Sequence, residues 1–128
     1  MNKYTELSDF EINKKVAINV GGFALSLMVF DDRNGVVKKN IPNIGSRVLT
    51  EFNPCNNPVD AMPIIIDNKI TMAFDTRNNV WCAHSGSVMD DCGWDYEIEP
   101  SLFAYSHNYY RAAMIIFLCM KDEENNND

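Results

Sequence analysis

CNNPVDAMPIIIDNKI, residues Cys55–Ile70, holds both a helix start and a reason for that helix to break. Asn57 can cap the first turn with its side-chain oxygen, and Pro58 fits the first helical position, where a missing N–H is harmless. The Asp60 carboxylate then sits among free amides that favour negative charge. Pro63, however, would press its ring against the carbonyl of Val59. The stretch therefore predicts either a kinked helix or a short turn that ends and restarts before the isoleucines.

Upstream, Ser8 followed by Glu11 makes a capping box, with Leu7 and Ile12 at staple positions. A helix over Asp9–Asn19 follows, with Ile12, Val16 and, at its end, Val20 on the buried side, stopped by Gly21-Gly22. FALSLMVF (Phe23–Phe30) reads as a strand and DDRNG as a turn, with Asn34-Gly35 the strongest short hairpin signal. The returning strand spans Val36–Asn40. Ile41–Pro54 reads as irregular, although RVLTEF could add a short strand. Downstream, Ile70–Phe74 and Asn79–Ala83 form two short strands joined by DTRNN, which puts Trp81 near the middle of the second. Ser85–Pro100 is a long loop or a partly paired ribbon. Asn108 caps a last helix, YYRAAMIIFLCM, apolar around much of its circumference at Ala112, Ile115, Ile116, Cys119 and Met120. Acids after Lys121 oppose the helix dipole, so fraying is expected there.

These readings amount to an α+β fold of three helices and a small, mainly antiparallel sheet. One globular domain over residues 1–120 and a disordered acidic tail over 121–128 are expected. At 128 residues and 46% hydrophobic content, the chain can bury a core without staples. No repeat of solenoid period is visible, although CNNPVDA and SHNYYRAA share an asparagine cap followed by an alanine.

A net charge of -7 argues against direct DNA binding, which needs a basic face. Acids gather in DDCGWDYEIE (Asp90–Glu99) and in the tail. They read as a solvated loop and a loose end rather than the elongated ridge of a DNA mimic. No long apolar run and no signal-peptide centre are present, so a cytoplasmic protein with no membrane association is expected. Cys55, Cys82, Cys92 and Cys119 include no CxxC pair, and free thiols are expected.

Phosphate-cradle, hydrolase-elbow and zinc-protease motifs are absent from the sequence. Ser85 and Ser87 beside His84 could suggest a nucleophile and base, but neighbours in sequence rarely form such a pair. Cys82, His84 and Cys92 could ligate zinc. Their spacing matches no common pattern, and packing is the favoured role, with Cys55 and Cys119 as small buried hydrophobes. No metal, no cofactor and no catalytic residue is expected. The better candidates are binding residues: Asn56, Asn57 and Asp60 at one helix start, Trp81 on a strand, and Asn108, Tyr109, Tyr110 and Arg111 at another helix start. Helix N-termini and arginine suit anions, and Trp or Tyr offer a face to a base. The plain structural alternative is two ordinary caps, with Trp81 in the core and Arg111 paired to Asp60.

LSDFEINKKVA, FNPCNNPVDAMPIII and NYYRAAMIIFLCM, in this order, resemble the NinX-like family of small phage and prophage proteins, generally described as of unknown function. The resemblance covers both ends and the centre of the chain. Asn56, Asn57, Pro58, Asp60, Ala61 and Pro63 match its pattern. The chain departs from it at Met62, where a tryptophan is common, and at Asn108-Tyr109-Tyr110-Arg111-Ala112, where Asn-Pro-Leu-Arg-Ala is usual. The resemblance implies a phage gene acting inside a bacterial cell and implies no reaction. The resulting expectation is a non-enzymatic phage accessory protein that binds a nucleotide-like host molecule, as a sponge for an ADP-ribose type immune signal. The alternatives are a protein–protein inhibitor that docks its acidic surface on a host protein, and a nucleotide-processing enzyme. A homodimer is expected, with FALSLMVF as one candidate interface.

Overall fold

The computed structural model describes residues 3–20, 28–43, 46–85, 89–90, 93–94 and 103–126. Within them the order is α1 (Asp9–Asn19), β1 (Met28–Asp31), β2 (Val36–Asn43), β3 (Ser46–Phe52), α2 (Pro58–Asp67), β4 (Thr71–Asp75), β5 (Val80–His84), β6 (Met89–Asp90), β7 (Gly93–Trp94), β8 (Phe103–Ser106) and α3 (Tyr109–Asn126). The class is α+β, as expected. The expected sheet is instead two three-stranded antiparallel sheets, β1-β2-β3 and β4-β5-β8, and β6-β7 is a short paired ribbon, one of the two forms expected within Ser85–Pro100.

α3 is the centre of the molecule. Every residue from Ala112 to Leu118 is buried, and the helix packs against α1, α2, β5 and β8. Ala83 and Ala104, opposite each other in the β5–β8 pairing, are buried where that sheet meets the helix. Small residues there let a helix approach a sheet closely. Ile12, Val16 and Ala17 of α1 and Ala61, Ile64 and Ile65 of α2 are buried in the same core.

α1 has its expected limits, and the Glu11 amide donates to Ser8 Oγ at 3.1 Å. Gly21, Gly22 and the Phe23–Leu27 part of FALSLMVF lie outside the described residues; Met28–Phe30 opens β1. β2 runs three residues past its expected end at Asn40, and RVLTEF supplies the short strand it offered, as β3 from Ser46, so most of Ile41–Pro54 is a hairpin and not irregular. β8 was not foreseen. α3 carries on through Asn126, into the stretch expected as a disordered tail. Asp122 within it pairs with Lys3 at 3.1 Å and accepts from the Tyr4 hydroxyl, which ties this end to the start of the chain.

α2 does not break at Pro63; it is continuous from Pro58 to Asp67. The proline removes only the bond to the Val59 carbonyl, and Val59 is 78% exposed, so water can serve that oxygen. Its far end closes as a Schellman motif: Ile70 N donates to Ile65 O at 3.0 Å and Lys69 N to Ile66 O at 3.2 Å. Lys69 takes the left-handed position usually held by glycine, at φ 57°.

An internal likeness emerges in the hairpins. FDDRNGVV (Phe30–Val37) and FDTRNNVW (Phe74–Trp81) hold matching registers, Phe30 opposite Val37 and Phe74 opposite Trp81. In each turn one aspartate receives the asparagine three residues on. Asn34 donates to Asp31 through its backbone at 3.1 Å and its side chain at 2.8 Å, and Asn78 to Asp75 at 3.2 and 2.8 Å. These asparagine bonds hold both carboxyls below their ordinary range. Each turn then ends at positive φ, 67° at Gly35 and 58° at Asn79. Each hairpin follows a helix and gains a third antiparallel strand, so the described residues, the β6-β7 ribbon aside, read as αβββ twice, closed by α3.

Candidate functional site

The loop Asn53–Asn57 is a junction where the starts of all three helices meet. Asn13, a polar residue on the buried side of α1, donates to Asn53 Oδ1 at 2.8 Å and accepts from the Cys55 amide at 3.0 Å. Asn56 Nδ2 donates to Asp9 Oδ2 and Asn53 Oδ1, both at 3.1 Å. Asn108 Nδ2 donates to the Cys55 carbonyl at 2.8 Å and to Asn56 Oδ1 at 3.0 Å. Its Oδ1 accepts from the amides of Tyr110 at 2.9 Å and Arg111 at 3.2 Å. Asn57 caps α2 through the Val59 amide at 3.0 Å. One amide side chain offers both donors and acceptors, which is why asparagine can cap a helix and grip a neighbouring loop together.

Charge completes the junction. Arg111 donates to Asp9 Oδ1 at 2.6 Å and to the carbonyls of Leu7 at 2.6 Å and Thr5 at 3.1 Å. Asp60, buried in the first turn of α2, accepts from the Asn53 amide at 2.9 Å and from Lys39 Nζ at 3.2 Å. The pairing of Arg111 with Asp60 entertained from sequence is thus replaced by two separate pairs, Arg111–Asp9 and Lys39–Asp60. Lys39 also lies over the Phe52 ring, 4.9 Å from its centroid. Burial pushes the Cys55 thiol up to about 12, so this cysteine is a packed, unreactive side chain.

Asn56, Asn57, Asp60, Asn108 and Arg111 are therefore brought together, whereas Trp81 and Tyr110 belong to a second arrangement beside them. Phe74, Trp81, Tyr109 and Tyr110 form a row of edge-to-face rings with successive centroids 5.0, 5.0 and 5.1 Å apart. Trp81 is half-buried, not sealed in the core, and Phe74 at the head of the row is 44% exposed. The row meets the polar junction at the first turn of α3, where Tyr109 and Tyr110 directly follow Asn108. Sequence reasoning missed Asp9, Asn13, Asn53, Lys39 and Phe74, and placed Tyr109 at a helix start without its ring partners. Asn13 had a legible signal, an amide next to Ile12 on an apolar helix face.

Two other features lie apart from the junction and the row. Cys82 and His84 share one face of β5, where burial raises the thiol pKa and lowers that of the imidazole; Cys92 lies outside the described residues. A concavity of about 400 Å³ runs along α1, lined by Phe10, Glu11, Lys14, Lys15, Ile18 and Asp32. Lys14 within it is held by Asp32 at 3.0 Å and lies over the Phe10 and Phe30 rings. None of the candidate residues lines it. Among the described residues, no helix is long and apolar enough to cross a membrane.

No curated protein and no solved structure matches the chain. Residues 3–121 match the family described as Bacteriophage P22, NinX, a match that takes in all three helices' starts and the aromatic row. The chain belongs to this family of phage proteins.

Proposed function

We propose that this phage protein is a non-enzymatic accessory protein that binds and sequesters a small host molecule. The most concrete ligand is a nucleotide-derived immune signal of the ADP-ribose type, which would make the protein an anti-defence sponge acting in the bacterial cytoplasm. The observation that carries this reading is the row Phe74–Trp81–Tyr109–Tyr110, exposed at Phe74 and anchored at the start of α3. Aromatic faces stack on any base, each worth about 1–3 kcal/mol. In this reading Trp81 and Tyr110 contact the ligand. Asn56, Asn57, Asp60, Asn108 and Arg111 shape the site by fixing the first turn of α3, since their polar groups already grip one another and the neighbouring backbone.

The test is mass spectrometry of what the heat-denatured protein releases after incubation with lysate from cells whose nucleotide-signalling defence has been triggered. An intact nucleotide in near-stoichiometric amount is expected, and it should be lost in Trp81→Ala while circular dichroism shows the fold retained. A chemically altered product would replace the sponge with an enzyme. Release of nothing would overturn the small-ligand reading and turn attention to a host protein and the acidic Asp90–Glu99 segment, most of which lies outside the described residues.

A further inference from the structure

α2 buries Asp60, Ala61, Ile64 and Ile65 and turns the opposite side to solvent. That side is apolar along the helix: Val59 is 78% exposed and Ile66 64%, with exposed Pro63 between them and half-buried Met62 alongside. Positions i, i+4 and i+7 form one stripe on an α-helix. No charge interrupts it, because Asp60 is drawn inward by Lys39 and the Asn53 amide. Isolated exposed apolar residues need no explanation, but a continuous stripe over a whole helix marks a contact surface.

The geometry points to a second copy of this chain as the occupant, with the two α2 helices antiparallel across a two-fold axis near Pro63. The stripe is self-matching under that operation, since Val59 of one copy then meets Ile66 of the other and Pro63 meets Pro63. Charge selects the antiparallel sense. Asp67 is the exposed last residue of α2, and no basic residue shares its final turn. A carboxylate there opposes the dipole of its own helix. In the antiparallel pair it lies beside the N-terminal end of the other α2, where negative charge is favoured. Ten residues of helix span about 15 Å, so this contact falls below the roughly 1,200 Å² of a standard interface. A weak dimer, populated in the micromolar range or above, follows. The inference is independent of any bound ligand.

Sedimentation equilibrium of the full chain across the micromolar range tests it. The wild type should show a concentration-dependent monomer–dimer equilibrium, and Ile66→Asp and Val59→Asp should each weaken association tenfold or more. Both positions are exposed, so circular dichroism should stay native. Asp67→Lys should raise Tm at dilution, where the monomer dominates, while weakening the dimer, a pair of opposite shifts that simple loss of folding cannot produce. A wild type that stays monomeric, or dimers unaffected by Ile66→Asp, would overturn the interface. Dimers untouched by Asp67→Lys would overturn the antiparallel arrangement.

Discussion

Hairpins β1–β2 and β4–β5 are built on nearly the same residues, FDDRNGVV and FDTRNNVW, yet they carry different loads. In the first, the residue opposite Phe30 is Val37, 1% exposed and part of the core, and Phe30 itself lies under Lys14 of α1. In the second, the residue opposite Phe74 is Trp81, half-buried, and its ring extends the row to Tyr109 and Tyr110. The turn, the register and the third strand are common to both. A hairpin of this design therefore closes without a large aromatic at that position, and the row at Trp81 is an addition that folding of the hairpin does not explain. That internal control supports reading the row as a recognition feature.

The largest effect is expected on the side that anchors the second hairpin. Arg111→Ala strands Asp9 and the Thr5 and Leu7 carbonyls and loosens the turn that presents Tyr109; a loss of about 3 kcal/mol in chemical denaturation is expected. A loss under about 0.5 kcal/mol would mean the junction does not hold α3 in place. A gentler test converts the second hairpin into the first. Trp81→Val should keep the native circular dichroism spectrum and lower stability by about 1–3 kcal/mol, the worth of two edge-to-face ring contacts plus partial burial. A chain that no longer folds would show the tryptophan to be core after all. The smallest change sharpens the likeness of the turns. Asn79 sits at φ 58° where the first turn has Gly35, so Asn79→Gly should be neutral to stabilising by about 0.5 kcal/mol in thermal melts. A clear destabilisation would mean that the Asn79 side chain does something its counterpart cannot.

Much of the local structure was legible in the sequence because local chemistry wrote it. Ser8 with Glu11, Asn57 with Pro58, and Asn108 announced three helix starts, and DDRNG and DTRNN announced two turns. Pro63 misled, since its damage depends on whether the freed carbonyl faces water, and that depends on which side of α2 is buried. Ile41–Asn43 was hidden by Pro42, yet the backbone pairing of β2 with β3 continues through that proline. The candidate residues at the helix starts were found, but not their partners. Asp9 meets Arg111 and Lys39 meets Asp60 only after helices and strands pack, and nothing in their spacing encodes it. Trp81 was found as an aromatic on a strand, while Phe74 and Tyr109, which make it part of a row, required the strand register and the first turn of α3.

The junction at Asn53–Asn57 also constrains the order in which the chain can fold. Its Asn13–Asn53 bond spans 40 residues of sequence, whereas Arg111–Asp9 spans 102. Closing the longer loop costs only about 0.8 kcal/mol more in chain entropy, so the equilibrium tolerates it. The rate does not escape so easily, because contacts distant in sequence slow the search for the native state. Helices α1 and α2 pack chiefly on α3, so their buried faces find their main partner only when the end of the chain has been made. The junction itself closes only once residue 111 arrives, so a nascent chain stopped before α3 would hold Asn56 and Asp9 at an unfinished seam.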